Sequence, residues 1–86
     1  MMDKTILDIL VCPETRTALQ FAEDSLLQQI NARVTEGKLL NRKGQSVTRK
    51  LGAGLLRLDE RFLYPVFDDI PVMLIDEAIP LNQLKQ

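Results

Sequence analysis

The feature that most constrains this fold is the supply of cross-linking residues: one cysteine, Cys12, and no histidine among 86 residues. An intrachain disulfide needs two cysteines, and four-cysteine, mixed cysteine-histidine and three-histidine zinc centres need ligands that the chain lacks. Nucleophile systems of the Ser-His-Asp and Cys-His kinds need a histidine. The sequence therefore excludes all of these, and a general acid or base would have to be Asp, Glu, Lys or Tyr.

Length and composition predict one folded domain that spans residues 1–86. A chain this short supports a single core. With 45% hydrophobic residues and a net charge of -1, it is typical of a globular and not of a disordered protein. The N-terminus is too polar, and the apolar run from Ile6 to Val11 too short, for a signal peptide or a membrane span of ~20 residues. Together with the lone thiol, this predicts a cytoplasmic protein with no membrane partner.

A short N-terminal helix is predicted before Pro13. Asp3 can cap it, and its apolar residues Ile6, Leu7 and Leu10 share one face at helical spacing. Pro13 ends this helix because proline restricts the backbone of the residue before it.

A longer helix is predicted over residues 25–36. Ser25 and Gln28 match a capping box, in which two residues of the first turn bond each other's backbone. Gly37 then supplies a C-terminal stop. Between these ends, apolar residues recur at the spacing that buries one face of a helix: Leu26, Leu27, Ile30 and Val34.

Short strands are predicted in the rest of the chain. Residues 17–21 have the β-branched and aromatic content of a strand, and residues 39–48 have the pattern of a hairpin. Gly52 and Gly54 are interpreted as a flexible joint, because the third glycine and the following helix of a nucleotide loop are missing. Another strand begins at Leu55.

The last two predicted strands carry the clearest patterns. Residues 62–67 alternate between two faces, and Pro65 predicts that this strand is an edge or is broken there, because proline has no N–H. Residues 70–75 are apolar on both faces, which predicts that one face meets the core and the other meets something else. The tail, residues 79–86, is expected to be flexible. These elements predict an α+β domain with an antiparallel sheet of three or four strands, a short N-terminal helix and one longer helix.

Charge is concentrated in the middle of the chain, where residues 31–57 have a net charge of +6. Such a segment can contact phosphate, and the candidates for nucleic-acid contact are Arg42, Lys43, Arg49 and Lys50. No aromatic residue between Phe21 and Phe62 is available to stack a base. A solvated hairpin is therefore favoured over a nucleic-acid site.

Acidic residues recur at the ends of the last predicted strands: Asp59, Glu60, Asp68, Asp69, Asp76 and Glu77. Clustered oxygen ligands can hold a hard divalent cation or act as an acid-base pair. Their spacing matches no EF-hand loop, and turn chemistry explains the Asp pairs. The sequence therefore predicts no metal, no cofactor and no catalytic residue.

Cys12 lies at the end of the predicted N-terminal helix. The negative end of the helix dipole would raise the pKa of its thiol and leave less of it ionised. Cys12 is therefore interpreted as a small buried hydrophobe.

Three segments near the two ends of the chain form a recognisable pattern. They read Leu-Asp-Ile-Leu-Val-Cys-Pro at 7–13, Leu-Tyr-Pro-Val-Phe-Asp-Asp-Ile-Pro-Val-Met-Leu at 63–74 and Asp-Glu-Ala at 76–78. In this order they resemble the small methyltransferase-activator family, whose best-known member partners tRNA, ribosomal RNA and release-factor methyltransferases. Residues 22–57 carry little of the resemblance. It implies a zinc-ribbon-like core and a protein that is not itself an enzyme.

Members of this family often hold one zinc ion with four cysteines. By the resemblance, Cys12 occupies the first ligand position, and Thr15, Arg57 and Glu60 occupy the other three. An arginine beside Cys12 opposes metal binding, so the resemblance implies a member without zinc, similar in this respect to the preY proteins. A structural zinc contributes on the order of 10 kcal/mol. Packing of the helix over residues 25–36 is expected to replace it.

These observations give a first hypothesis of function and two alternatives. The first is a non-catalytic subunit that stabilises or activates an S-adenosylmethionine-dependent methyltransferase. One alternative is a small nucleic-acid-binding adaptor that uses the basic segment, and the other is a self-associating protein. In the first hypothesis an exposed strand continues the partner's sheet and covers its apolar surface. The partner-binding residues are then Ile70, Pro71, Val72, Met73, Leu74 and Ile75.

Overall fold

The computed structural model describes residues 11–85, and in this range it has one α-helix and a five-stranded antiparallel sheet. The predicted α+β class is confirmed, with one strand more than expected. The predicted N-terminal helix lies outside the described residues. No helix within 11–85 has the length and apolar character needed to cross a bilayer. The elements are β1 (Leu19–Phe21), α1 (Asp24–Thr35), β2 (Ala53–Arg57), β3 (Phe62–Phe67), β4 (Ile70–Pro71) and β5 (Ile79–Pro80), with 3₁₀ helices at Ile75–Glu77 and Leu81–Lys85.

The centre of the sheet is β3. It pairs with β2 along one edge, and β1 lies beyond β2. Its other edge is shared by two short strands, β4 opposite Val66 and Phe67 and β5 opposite Phe62 and Leu63. Segments from the first and last parts of the described chain therefore meet around β3.

Pro65 marks the place where β3 changes partners. Its carbonyl accepts a hydrogen bond of 2.9 Å from the Val72 N–H. In an antiparallel strand the nitrogen of the same residue points to the same edge, and in proline that nitrogen carries no hydrogen. The β4 pairing ends here, and β5 takes over at Leu63. Of the two outcomes predicted for Pro65, the break is observed, whereas the strand itself is central and not an edge.

Burial confirms the alternation predicted for β3. Leu63 lies in a helix-side cluster, whose buried members are Ile30, Val34, Leu39, Leu51, Leu56, Leu63, Ile79 and Leu81. Tyr64 and Val66 lie in a Cys12-side cluster, whose buried members are Cys12, Leu19, Leu55, Tyr64, Val66 and Ala78. Because fully burying an aliphatic or aromatic side chain contributes about 1.5–3 kcal/mol, both clusters stabilise the sheet.

The predicted stop of α1 is confirmed, and its predicted start is not. Gly37 has a φ of 72°, and the Lys38 N–H donates to the Arg33 carbonyl at 2.9 Å, as in a Schellman motif. At the other end Glu23 is the N-cap and makes no side-chain cap bond, so the capping box at Ser25 is wrong. The chain passes from β1 almost directly into α1, so the strand and not a side chain positions the first turn.

Gly54 is part of β2 and not of a flexible joint. A Cβ at this position would lie 2.7 Å from Leu63 Cδ1 and 2.9 Å from Leu63 Cδ2. Only glycine leaves room for this side chain, because it has no Cβ. The joint predicted at residues 52–54 is therefore wrong.

The hairpin predicted over residues 39–48 forms around one bridge, between Leu40 and Ser46. The buried Asn41 organises its turn, because its side-chain oxygen accepts the N–H groups of Lys43 and Gln45 at 3.0 Å each. This short hairpin is held by a side chain more than by a ladder of strand pairs.

The C-terminal segment is built into the core. Ile79, in β5, is fully buried, and Leu81 belongs to the helix-side cluster. The Gln83 side chain donates to the Leu40 carbonyl at 2.8 Å and accepts from the Leu40 N–H at 3.0 Å. This differs from the flexible tail expected from the sequence, because apolar side chains on either side of Pro80 fill space beside β3.

Candidate functional site

The residues predicted to bind a partner do not form one strand. Only Ile70 and Pro71 belong to β4, and Ile75 begins a 3₁₀ helix. The continuous strand predicted over residues 70–75 is therefore wrong. Its pairing stops because the matching edge of β3 ends at Pro65, which has no N–H to continue the ladder.

The side chains of this segment divide into two sets. Ile70 is 67% exposed, Leu74 63% and Ile75 37%. We call these three residues the apolar surface. Leu74 and Ile75 are adjacent in the chain, and exposed apolar side chains that lie side by side mark interaction sites more often than single ones do. The remaining predicted residues are half-buried: Pro71, Val72 and Met73.

Leu74 and Ile75 line an open cleft of about 660 Å³, here called the Leu74 cleft. Met73 lies between this cleft and the core, since it also packs against the Cys12-side cluster. Four of the cleft's seven lining residues are apolar and three are charged, so the cleft offers both apolar and ionic contacts. The lining consists of Pro13, Lys43, Met73, Leu74, Ile75, Asp76 and Glu77.

The outer edge of β4 is poorly suited to pairing with a partner strand. Val72 faces β3, since its N–H donates to the Pro65 carbonyl. Backbone groups alternate in direction along a strand, so Pro71 faces outward and offers a carbonyl without an N–H. Proline at such a position is a common protection against strand addition. Side-chain contacts are therefore better supported than the continued sheet predicted from the sequence.

A buried arginine occupies one of the positions that the resemblance assigned to zinc ligands. The Arg57 side chain, at the end of β2, is 6% exposed. Its Nη1 donates to Glu14 Oε1 at 2.7 Å, and its Nε lies 2.9 Å from each carboxylate oxygen of Asp59. The guanidinium therefore joins the Cys12 loop, residues 12–17, to the β2–β3 turn.

Hydrogen bonds set the ionisation of this cluster. Those from Arg57 lower the pKa of Asp59 from 3.8 to about 2. Those from Arg42 and Arg57 lower the pKa of Glu14, and the bond to Asp59 raises the pKa of Arg57. All these groups are charged near neutral pH. The arrangement is a structural ion-pair network and is not suited to proton transfer.

Arg42 extends the network to the hairpin. Its Nη1 donates to the same Glu14 oxygen at 2.8 Å, and its guanidinium lies 4.4 Å from the centroid of the Phe62 ring. Arg57 lies 4.7 Å from the same centroid. Both cations are within the range of favourable cation–π contact. Glu14 has no signal in the local sequence, because its partners are 28 and 43 residues away.

Cys12 is fully buried, as predicted, but the pKa of its thiol is shifted the other way. Its Sγ lies 3.1 Å from Tyr64 Oη. Burial raises the pKa of the thiol, whereas hydrogen bonds from Thr15 and Tyr64 outweigh burial and bring it from 9.0 to about 7. The predicted rise is wrong because donors on the loop and on β3 reach the sulfur.

Three of the four positions assigned to zinc ligands come together. Cys12 contacts both Thr15 and Arg57, whereas Glu60 is exposed on the β2–β3 turn with a φ of 59°. Between residues 11 and 85, no three Cys, Asp or Glu side chains are grouped so as to hold a metal ion. An arginine-carboxylate network occupies this end of the sheet.

Two of the four candidates for nucleic-acid contact are engaged within the chain. Arg42 pairs with Glu14, and Arg49 Nη2 donates to Asp68 Oδ2 at 2.7 Å. Lys43 and Lys50 are exposed, and Lys43 lines the Leu74 cleft. These contacts reduce the positive charge that the basic segment presents to phosphate.

The acidic pair at the β3–β4 turn serves the backbone. Asp68 and Asp69 have φ values of 52° and 64°, and a two-residue turn with both central residues left-handed is the type I′ turn of hairpins. Aspartate tolerates this conformation better than most residues do. Turn geometry therefore explains this pair, as interpreted from the sequence.

Comparison with known proteins identifies close relatives along the whole chain. A UPF0434 protein of Ehrlichia chaffeensis is 31% identical over 83 residues, which cover 96% of this chain and 100% of the relative. A UPF0434 protein of Legionella pneumophila is 34% identical over 84 residues, 95% of this chain and 93% of the relative.

The fold also has a counterpart among solved structures. The solution NMR structure of XF2673 from Xylella fastidiosa superimposes with a TM-score of 0.76 at 30% sequence identity and covers 96% of this chain and 86% of that chain. No protein-family profile matches the sequence. On the strength of the full-length relatives, the chain belongs to the UPF0434 family.

Proposed function

We propose that this protein is a non-catalytic binding subunit that stabilises or activates an S-adenosylmethionine-dependent methyltransferase. In this proposal the apolar surface and the Leu74 cleft contact the partner. The methyl donor and the reaction chemistry belong to the partner. By the resemblance described above, its substrate is a tRNA, a ribosomal RNA or a release factor.

The exposure of Leu74 and Ile75 beside an open cleft is the observation that carries a binding function. Burying apolar surface is worth about 25 cal/mol per Å², so a partner that covers these side chains gains affinity from them. The choice of a methyltransferase as partner comes from the resemblance of residues 63–74. This segment includes all of β3 except Phe62, all of β4, and two residues of the cleft lining, Met73 and Leu74.

The geometry favours docking through side chains. Pro71 has no N–H, so the outer edge of β4 lacks a hydrogen-bond donor that a partner strand would need. The Leu74 cleft can instead accept an apolar segment of the partner between Pro13 and Met73. We therefore expect interface contacts to depend on Leu74 more than on the β4 backbone.

The nucleic-acid alternative has less support. Arg42 and Arg49 are paired with Glu14 and Asp68, and Arg49 and Lys43 line two different clefts. Binding to RNA or DNA that falls steeply with salt would favour this alternative. Binding of RNA and DNA at several salt concentrations is therefore measured alongside the partner assay.

The test is to co-express the protein with each S-adenosylmethionine-dependent methyltransferase encoded in its own genome. The readouts are the soluble yield and the specific activity of each enzyme with and without the protein. We expect at least one enzyme to gain in both. Leu74→Asp should abolish the gain, because a carboxylate in the cleft is costly to desolvate.

Leu58→Asp is the matched control. Leu58 is 55% exposed on the β2–β3 turn and does not line the Leu74 cleft, so this variant should support the partner as well as the wild type does. Circular dichroism establishes that both variants are folded. If no methyltransferase gains in yield or activity, or if both variants behave alike, the proposal is wrong.

A further inference from the structure

We propose that the free protein forms a two-fold symmetric dimer through the Leu74 cleft, so that a second copy of this chain occupies the cleft. The exposed apolar side chains and the unpaired charges of the cleft support this dimer. It is a property of the isolated protein and does not depend on the proposed function. Because a methyltransferase would use the same cleft, dimer formation and partner binding should exclude each other, and this consequence alone rests on the proposed function.

The cleft carries charges of both signs that the described chain does not use. Lys43 lies on the hairpin, and Asp76 lies on the 3₁₀ helix that begins at Ile75. Both residues are exposed, and neither forms an ion pair with another residue of the range 11–85. A cation and an anion of the cleft lining are therefore available to a second molecule.

A lining with both signs of charge is complementary to a copy of itself. In a two-fold symmetric dimer the same patch is used by both copies, so every contact between two different residues occurs twice. Lys43 of one copy can then face Asp76 of the second copy, and the reverse pair forms as well. A partner patch of a single sign would attract one of these residues and repel the other.

Apolar side chains supply the affinity of this dimer. Leu74 is 63% exposed and Ile75 is 37% exposed, and both line the cleft together with Pro13 and Met73. Near the two-fold axis, Leu74 can pack against Leu74 of the second copy. Removing apolar surface from water is the main favourable contribution to association, whereas exposed ion pairs contribute little. The charges therefore fix the orientation of the two copies, and the apolar contacts hold them together.

The size of the cleft predicts a weak dimer. A stable complex of standard size buries about 800 Å² on each partner, which is about one seventh of the 5590 Å² surface of this chain. Such an interface uses about 20–30 residues on each side, whereas seven described residues line the Leu74 cleft. An interface centred on this cleft is smaller, so we expect a dissociation constant of about 10–100 μM.

Analytical ultracentrifugation of the full-length protein tests the dimer. Sedimentation equilibrium is measured from about 1 μM to about 1 mM protein, a range that includes the expected dissociation constant. We expect the average mass to rise from that of one chain to that of two chains. The mass of one chain at every concentration would overturn the inference.

Two leucine variants show whether the dimer uses the cleft. Leu74→Asp should raise the dissociation constant at least about tenfold, because dimer formation would desolvate a carboxylate. Leu58→Asp is the control, since Leu58 is 55% exposed and lies outside the cleft lining, and it should dimerise as the wild type does. An equal loss in both variants, or a loss in the control alone, would refute the inference.

Charge reversal tests the reciprocal ion pair. Lys43→Glu alone and Asp76→Lys alone should each raise the dissociation constant at least about tenfold, because like charges then face each other at both contacts. An equimolar mixture of the two variants should dimerise like the wild type, since both contacts of the mixed dimer again join opposite charges. This recovery also shows that each variant is folded.

Two further variants control for net charge. Lys50→Glu and Glu36→Lys make the same charge changes at exposed positions outside the cleft lining, and each should dimerise as the wild type does. If these variants weaken the dimer as much as the cleft variants do, net charge and not a contact is responsible, and the inference is wrong. A mixture of the two cleft variants that stays monomeric would refute it as well.

Discussion

Arg57 Nη1 and Glu14 Oε1 form an ion pair of 2.7 Å that joins residues 43 positions apart. The arginine is almost completely buried, while the carboxylate is 35% exposed. This contact ties the Cys12 loop to the β2–β3 turn, the two segments that hold the positions assigned to zinc ligands by the resemblance. An arginine with two carboxylates therefore performs the cross-linking at this place.

Removing the arginine should destabilise the fold. Arg57→Met keeps an apolar stem but loses charge-assisted hydrogen bonds to Glu14 and Asp59, so the free energy of unfolding should fall by about 1.5–3 kcal/mol. Urea denaturation followed by circular dichroism measures it. Arg61→Met, an exposed arginine on the same turn, should change the free energy by less than about 0.5 kcal/mol. Equal effects of the two variants would show that the network is not a cross-link.

The same network predicts a pH dependence. The pKa of Asp59, about 2, and that of Glu14 are both lower in the folded chain than in the unfolded chain. A depressed carboxylate pKa contributes stability above the unfolded value, and the contribution is lost as the pH falls through the folded value. The free energy of unfolding should therefore decline from about pH 5 to about pH 2.

Arg57→Met is the control for this decline, because it removes the main cause of the pKa shift of Asp59. Its free energy of unfolding should depend less on pH over the same range. Urea titrations at several pH values compare the two proteins. If the free energy of unfolding of the variant falls with pH as steeply as that of the wild type, the acid sensitivity comes from groups outside this network.

Backbone strain at Glu60 predicts a stabilising substitution. This residue has a φ of 59°, which costs a residue with a side chain about 1–2 kcal/mol relative to glycine. Glu60→Gly should raise the free energy of unfolding by about 0.5–1 kcal/mol after the extra entropy of glycine in the unfolded chain is subtracted. Glu60→Ala also removes the carboxylate but keeps the strain, so it should bring no gain in urea denaturation. A similar gain from both variants would assign the effect to charge.

Gly54 and Gly52 make a matched pair for the packing of β2 against β3. Gly54→Ala should lower the free energy of unfolding by about 1–3 kcal/mol, because its Cβ would meet the Leu63 side chain. At Gly52 the nearest atom to a new Cβ is the Val66 carbonyl oxygen at 3.7 Å, an ordinary contact. Gly52→Ala should therefore be neutral or slightly stabilising. Thermal unfolding of both variants is the measurement, and equal melting temperatures would contradict the close approach at Gly54.

Local patterns in the sequence predicted the elements whose geometry is local. The alternation of residues 62–67 placed Leu63 and Tyr64 on opposite faces of β3, as observed, because successive side chains of a strand point in opposite directions. Gly37 marked the end of α1 because a left-handed residue there depends only on neighbouring backbone. The α+β class follows from the strand alternation at residues 62–67 together with the helical spacing that ends at Gly37.

Local patterns could not predict which strand or side chain each of these residues would contact. Pro65 indicated a break or an edge, and only the positions of β4 and β5 decided for the break. The same break limits β4 to two residues and leaves Leu74 outside the sheet. Gly54 looked like a joint until the Leu63 side chain accounted for it.

The sequence by itself determined a small α+β domain without disulfide or histidine chemistry and with an apolar run after Asp69. The tertiary structure decided which apolar residues of that run are covered, and it paired Glu14 with Arg57 and Arg42. The physical reason is the range of the interactions. Spacing within a helix or strand follows from backbone geometry, whereas these contacts form only when folding closes loops of 28 and 43 residues.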